Sequence, residues 1–177
     1  MEIYLIRHTT PHIEKGICYG QSDVPLANSF ENEWQALKNK LPVAADVILS
    51  SPLSRCLILA SKLGIHYHLP VIQNDRLMEL NFGDWEMKQW NDIKATSLQQ
   101  WMNDYVNVKC PGGESYLDLA ERVQLFLTNL RPENHSKVII VTHHGAMKAM
   151  HSILKNIDLK KGMEQKFEFA QPYLYKV

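Results

Sequence analysis

The sequence has few cysteines and no excess of charge of either sign, and both shortages narrow its class. Its three cysteines, Cys18, Cys56 and Cys110, are odd in number and lack CxxC spacing, which argues against a disulfide framework or a structural zinc site. We therefore expect reduced thiols and a cytoplasmic location. Nineteen basic residues balance nineteen acidic ones without a basic stripe, so we expect no nucleic-acid partner.

Long hydrophobic runs are also missing. No apolar stretch approaches the roughly 20 residues that cross a bilayer, and Met1 is not followed by a basic leader and an apolar segment. We expect neither a signal peptide nor a membrane partner. With 177 residues, 45% of them apolar and 21% charged, the chain suits one folded domain over residues 1–177.

Short apolar runs predict the sheet. Residues 3–6, 47–49 and 138–141 look like strands covered on both faces, and residues 70–73 look like a shorter one. The alternating pattern of residues 166–177 predicts a late strand, possibly at an edge.

Helical patterns follow these runs. Ser51-Pro52 is a helix-start signal with serine as the cap and proline as the first helical residue. Apolar spacing over residues 146–154 and the stretch 115–130 predict two more helices. Alternating strands and helices predict an α/β fold, a three-layer α/β/α sandwich with a mostly parallel central sheet.

Reactive residues stand at the end of each of the three main strands. Arg7-His8 follows the first, Arg55 lies just after the second, and His143-His144 follows the third. The carboxyl ends of parallel strands meet at one edge, where ligands bind in such sheets. One guanidinium group can donate two parallel N–H hydrogen bonds to two oxygens of a phosphate, and a helix N-terminus adds further N–H donors. The sequence therefore predicts a pocket for a phosphate dianion.

A neutral histidine in such a pocket can attack phosphorus and form a covalent intermediate that water later resolves. Phosphoryl transfer needs mainly positioning and charge stabilisation, which Arg7 and Arg55 can supply without a metal. The leaving oxygen needs a proton, and Glu79 is the candidate acid because its apolar neighbours favour the protonated form.

Simpler explanations remain for each residue alone. A single histidine at a strand end is more often structural, Arg55 could be a salt-bridged helix residue, and the tryptophans at 85, 90 and 101 could serve packing. A zinc hydrolase is the rival for the histidines, but none of His8, His143 and His144 belongs to an HxH or HExxH motif. The conjunction at three strand ends favours the phosphate pocket.

The order of motifs resembles a known family. The motifs are RH at 7–8, GQSDVPL at 20–26, SSPLSR at 50–55, Glu79 with FGDWE at 82–86, PGGES at 111–115, and VTH at 141–143. Together they cover nearly the whole chain and are similar to those of the histidine phosphatase superfamily, also called phosphoglycerate-mutase-like. Three of the motifs, SPLSRC, FGDWE and PGGES, are most similar to those of family members that dephosphorylate α-ribazole 5′-phosphate.

The resemblance implies a role for each matching residue. His8 would be the phosphorylated nucleophile, and Glu79 the general acid and later the base. The phosphate clamp would comprise Arg7, Arg55 and His143. Tyr19 and Gln21 fall where the family contacts its substrate, a small-molecule phosphate ester. The resemblance implies no cofactor and no metal.

Among the departures from the family pattern, two directly follow a predicted catalytic histidine. Thr9 stands where a glycine usually follows the first histidine, and His144 replaces a small residue. His144 either adds to the phosphate clamp or only packs, and the sequence allows both, as it allows a homodimer.

Three other functions remain open. Two are enzymatic: a broad-specificity sugar or small-molecule phosphatase and a phosphoglycerate mutase. The third is a regulatory module that only binds a phosphate ligand. Mutases of the family are longer, with insertions that shield the phosphoenzyme, which favours hydrolysis in a chain of this length. A phosphatase assay separates the enzymes from the binding module.

The first prediction concerns metal independence. Since two guanidiniums and helix N–H groups already balance the phosphate charge, phosphatase activity should survive EDTA. Vanadate should inhibit by imitating the five-coordinate transition state. Loss of activity on chelation, with recovery on adding Zn²⁺ or Mg²⁺, would favour the zinc hydrolase instead.

Overall fold

A computed structural model describes residues 1–130 and 135–177. The strands and helices among these residues are, in chain order, β1 (Glu2–Arg7), α1 (Phe30–Lys38), β2 (Val47–Ser50), α2 (Ser54–Tyr67), β3 (Val71–Gln73), α3 (Ala95–Asn103), α4 (Tyr116–Leu130), β4 (Lys137–Thr142), α5 (His144–Lys155), α6 (Leu159–Gly162) and β5 (Pro172–Lys176). Three single-turn 3₁₀ helices, Asp75–Leu77, Gly83–Trp85 and Trp90–Asp92, lie between β3 and α3. Within the described part of the chain, every helix is too short or too polar to cross a membrane.

The strands form one five-stranded sheet in the order β3-β2-β4-β1-β5. β1, β2, β3 and β4 run parallel, and β5 pairs antiparallel with β1 at the edge. The sheet is therefore mostly parallel, as the sequence predicts.

Helices cover both faces of the sheet. In β1, Ile3 and Leu5 point into a core shared with α4 and α5. Ile6 points to the opposite face, into a second core shared with α1 and α2, where it packs near Trp34 and Leu59. Because strand side chains alternate between faces, β-branched and leucine residues at consecutive positions are buried on both sides. The predicted three-layer α/β/α sandwich is confirmed.

The register of the sheet brings the strand ends together. Arg7 at the end of β1 pairs with Thr142 at the end of β4. Ser50 at the end of β2 pairs with Val141, which also belongs to β4. The reactive residues that follow these three strands therefore emerge at one edge.

The start of α2 differs from the prediction. The helix begins at Ser54 rather than at Pro52, and Leu53 holds the cap position. Asp23, from a distant loop, accepts hydrogen bonds from the Ser54 backbone N–H at 2.9 Å and from its hydroxyl at 2.7 Å. A carboxylate distant in sequence thus caps this helix, and a local signal could not have revealed it.

The last strand is shorter than predicted. β5 covers Pro172–Lys176, whereas the alternating pattern extends from residue 166. Phe167 is 1% exposed and belongs to the core under α5, and Ala170 has a left-handed backbone (φ 49°) that interrupts an extended strand. The segment before β5 lies against Arg7 instead of extending the sheet.

Candidate active site

A cavity of about 280 Å³ lies at the edge where the strand ends meet. Its wall comprises Arg7, His8, Ile17, Tyr19, Arg55, Glu79, Leu80, Phe82, Trp90, Trp101, Tyr105, Tyr116, His144, Gly145, Lys148 and Met163. Six of the eight predicted site residues belong to this wall. The other two, Gln21 and His143, contact wall residues from outside it.

His8 directly follows β1 and is only 2% exposed. Its Nδ1 lies 2.7 Å from the Thr9 carbonyl oxygen. Since a carbonyl can only accept, Nδ1 carries the proton and Nε2 keeps a free lone pair. Burial, and then the positive charge of Arg55, lower the pKa of His8 to about 3. The ring is therefore neutral at physiological pH, the state that a nucleophile requires.

Arg7 is held by the segment that precedes β5. Its Nη1 donates to the Phe167 carbonyl at 3.0 Å, and its guanidinium carbon lies 3.5 Å from the centre of the Phe169 ring. The Arg7 carbonyl in turn accepts from the Ala170 backbone N–H at 3.1 Å. A carbonyl and a ring face thus orient this cation. Sequence reasoning missed Phe167 and Phe169 because their alternation predicted a strand.

Arg55, the second residue of α2, is fully buried. Its Nε donates to His143 Nδ1 at 3.2 Å and its Nη1 to the Ser22 carbonyl at 2.8 Å. Its Nη2 donates to the Gly20 carbonyl. Among the described residues it forms no ion pair, so its charge is available to an anion in the cavity.

His143 lies beneath the cavity rather than in its wall. It is fully buried at the start of α5, and its ring centre is 5.2 Å from that of His8. Nδ1 accepts from Arg55, and Nε2 lies 2.8 Å from the Ser51 hydroxyl. Burial, then His8 and Arg55, hold its pKa well below the usual range. With both ring nitrogens engaged, His143 orients Arg55.

His144 does line the cavity. It is the first residue of α5, and its ring meets that of Phe167 edge-on at 6.4 Å. Burial, and then the positive charge of Arg7, lower its pKa to about 4. A neutral imidazole therefore stands beside Arg7 in the wall, where the family pattern has a small residue.

Backbone groups orient Glu79. Its carboxylate accepts from the Leu80 N–H and from the Gly145 N–H of α5, both at 3.0 Å. These polar contacts replace the apolar surroundings expected from the sequence. A Cβ at position 145 would collide with Glu79 Oε1, so the carboxylate occupies space that only a glycine leaves open.

An ion pair behind the cavity supports the Glu79 segment. Arg122 of α4 donates from Nε to Glu114 at 2.8 Å. Its other nitrogens donate to the carbonyls of Arg76, Met78 and Glu79 at 2.8–2.9 Å. Sequence reasoning missed Arg122, because an arginine on an amphipathic helix looks like a surface residue.

The two predicted substrate contacts lie in different places. Tyr19 is in the cavity wall, with its ring centre 5.5 Å from the Arg55 guanidinium carbon. Gln21 is not, because its side-chain amide donates to the Glu79 carbonyl at 3.0 Å. Gln21 therefore positions the Glu79 segment rather than facing the cavity.

Aromatic rings form one side of the cavity. Trp90 and Trp101 stack with their ring centres 6.2 Å apart and planes 26° apart, and Phe82 meets Trp90 edge-on at 5.6 Å. Trp85 is 4% exposed and packs in the small core beneath them. The packing interpretation therefore holds for Trp85, while Trp90 and Trp101 also face the cavity.

A lysine that the sequence analysis did not consider also lines the cavity. Lys148, one helical turn after His144, lines the cavity and forms no ion pair within the described part of the chain. Burial lowers its pKa against the opposing effect of Glu79. Lys109, by contrast, pairs with Asp118 at 2.9 Å and lies outside the wall. The described residues contain no group of three His, Cys, Asp or Glu side chains arranged to hold a metal.

A neutral histidine, two guanidiniums and a carboxylate at the carboxyl edge of a parallel sheet are the groups of an enzyme that acts on phosphate esters. The chain is a phosphatase. The profile of the histidine phosphatase superfamily (branch 1) matches residues 3–172. The chain therefore belongs to that superfamily, which confirms the resemblance seen in its motifs.

Three relatives illustrate the range of the family. The adenosylcobalamin/alpha-ribazole phosphatase of Escherichia coli K12 is 30% identical over 154 residues, covering 83% of this chain and 75% of the relative. Phosphoserine phosphatase 1 of Hydrogenobacter thermophilus is 28% identical over 167 residues, covering 91% of this chain and 79% of the relative. The crystal structure of the α-ribazole phosphatase from Shigella flexneri superposes with a TM-score of 0.91 at 26% identity. The superposition covers 98% of this chain and 89% of that structure's chain.

The buried neutral state of His8 predicts how stability depends on pH. Its pKa is about 3 in the folded protein and about 6.5 in an unfolded chain. The unfolded state therefore binds more protons below pH 6.5, and the free energy of unfolding falls as pH drops from 6.5 towards 3. The slope from this one group reaches about 1.4 kcal/mol per pH unit.

His8→Asn should make that slope shallower in denaturant unfolding measured between pH 4 and 6.5. His12→Asn, at an exposed position, is the matched control and should leave the slope unchanged. Equal slopes for the wild type and His8→Asn would show that His8 is not held neutral.

Proposed function

We propose that this phosphatase hydrolyses small-molecule phosphomonoesters through a phosphohistidine at His8. The observation that carries the proposal is the Nδ1 contact with the Thr9 carbonyl. It leaves the Nε2 lone pair free beside Arg7 and Arg55, neither of which forms an ion pair with another described residue. A neutral ring beside two cations is better suited to attack phosphorus than to bind a metal cation.

The proposed reaction has two steps. Nε2 of His8 attacks phosphorus while the ester oxygen leaves with a proton from Glu79. Water, deprotonated by Glu79, then attacks the phosphohistidine, releasing inorganic phosphate and restoring His8. Arg7 and Arg55 hold the phosphoryl oxygens in both steps, where charge stabilisation is the main requirement. His143 orients Arg55, and His144 supplies a further N–H donor at the wall.

The substrate side of the cavity supports α-ribazole 5′-phosphate as the ester. Trp90, Trp101 and Phe82 offer ring faces and edges, which suit a ligand with an aromatic base. Relatives named for this substrate agree with that chemistry. The enzyme would then act in the synthesis of the lower ligand of cobalamin.

Lys148 favours a second candidate. A half-buried ammonium that pairs with no carboxylate among the described residues suits a substrate carboxylate close to the phosphate, as in phosphoserine or 3-phosphoglycerate. Phosphoserine phosphatase 1 of H. thermophilus is among the relatives.

Removing the nucleophile tests the mechanism. His8→Ala should abolish turnover while the protein stays folded, because only an imidazole at this position can accept the phosphoryl group. Wild-type protein quenched in alkali after mixing with ³²P-labelled substrate should carry an alkali-stable, acid-labile label that His8→Ala lacks. His12→Ala is the control. Normal turnover or labelling of His8→Ala would rule out the mechanism.

Glu79→Gln tests the proton donor, since it keeps the size of the side chain and removes its proton. General acid catalysis contributes about 10²–10⁴-fold. The loss of kcat/KM should be largest for sugar phosphates and much smaller for p-nitrophenyl phosphate, whose leaving group departs without a proton. An equal loss for both esters would assign Glu79 to binding or structure.

A substrate panel separates the two candidates. We expect a higher kcat/KM for α-ribazole 5′-phosphate than for phosphoserine or 3-phosphoglycerate, and no mutase activity with 2,3-bisphosphoglycerate. Trp101→Leu should lower that preference and leave p-nitrophenyl phosphate hydrolysis within a few-fold of wild type. If phosphoserine is preferred, and Lys148→Met removes the preference, the second candidate is correct.

A further inference from the structure

Arg55 carries a buried charge, and no carboxylate of residues 1–130 or 135–177 forms an ion pair with it. It is fully buried, and its hydrogen-bond acceptors among the described residues are the neutral His143 and the carbonyls of Gly20 and Ser22. An uncompensated buried cation is strongly unfavourable, so a negative charge is needed nearby. The obvious carboxylate of the same loop, Asp23, is already used to cap α2.

Glu86 lies on the far side of the loop that holds Arg55. Its half-buried carboxylate accepts from the backbone N–H groups of Gly20, Gln21, Ser22 and Phe82 at 2.9–3.1 Å. Burial raises its pKa, but the hydrogen bonds from Gly20, Gln21 and Ser22 outweigh burial, and the pKa lies below its usual value. Glu86 is therefore ionised at neutral pH.

One peptide group connects the two charges. Its carbonyl, from Gly20, accepts from Arg55, and its N–H, from Gln21, donates to Glu86. The dipole of that peptide thus has its negative end at the cation and its positive end at the anion. A Cβ on Gly20 would collide with the Leu80 carbonyl and with Glu86, so only glycine allows the loop to lie this close.

We propose that Glu86 is a positioning residue, the counter-charge of Arg55 acting through the Gly20–Gln21 peptide. Glu86 holds the loop whose carbonyl oxygens orient the Arg55 guanidinium. Because these partners are carbonyls, the positive charge of Arg55 remains available to bind phosphate. A direct carboxylate partner would hold Arg55 equally well but would neutralise it. The proposal rests on the proposed function, in which Arg55 binds the phosphoryl group.

Glu86→Gln tests the proposal, because it keeps the side chain's shape and removes its charge. The vanadate inhibition constant and the KM for p-nitrophenyl phosphate should each rise by about 10-fold or more, the scale of a charge-assisted hydrogen bond. An unchanged vanadate constant in the folded variant would overturn the proposal.

Asp46→Asn is the matched control. Its carboxylate also accepts two backbone N–H groups, from Ser136 and Lys137 at 2.6 and 2.7 Å, and it precedes β2 at the opposite edge of the sheet. It should lower Tm without changing the vanadate constant. If Asp46→Asn weakens vanadate as much as Glu86→Gln does, the effect is general destabilisation and the proposal fails.

A double-mutant cycle with Arg55→Ala identifies the route of the effect. In the Arg55→Ala background, Glu86→Gln should change the vanadate constant less than two-fold, and additive losses would overturn the proposal. If Arg55→Ala alone leaves vanadate binding intact, the proposed function itself fails. Should Glu86→Gln not fold, Glu86→Asp, which withdraws the carboxylate by one methylene, takes its place in the cycle.

Discussion

Among the residues that the structure describes, the two arginines of this site donate to carbonyl oxygens and to one imidazole, and to no carboxylate. Arg7 donates to Phe167 and Arg55 to Gly20 and Ser22. A carbonyl fixes the direction of a guanidinium without cancelling its charge, so both cations keep a strong field in the cavity. Burial, and then that field, lower the pKa of His8 and keep its ring neutral.

Much of this arrangement could be predicted from the sequence. The runs of β-branched residues placed β1, β2 and β4, and their ends placed Arg7, His8 and Arg55 at one edge. Local patterns failed where a distant group decides the outcome. Asp23 caps α2 from another loop, and Ala170 ends the extended pattern before β5. Helical periodicity gives no sign that Lys148 faces a cavity, since the cavity is built by other elements.

The residues that position other site residues were the hardest to predict. His143, Gln21 and Arg122 each act on another site residue, through hydrogen bonds that join segments far apart in the chain. Such partners depend on three-dimensional proximity, which one sequence does not report. The residue types still carried a signal, because polar side chains within apolar stretches usually require buried partners.

The contact between Arg7 and the segment at 167–170 also bears on how the chain folds. The Arg7 guanidinium donates to the carbonyl of Phe167, 160 positions away, and the Arg7 carbonyl accepts from the Ala170 N–H. β1 likewise pairs with β4, which begins at Lys137. Bringing residues so far apart in the chain together costs loop-closure entropy before the contacts can form, and such contacts slow folding. The orientation of Arg7 is therefore a feature that local structure alone cannot establish during folding.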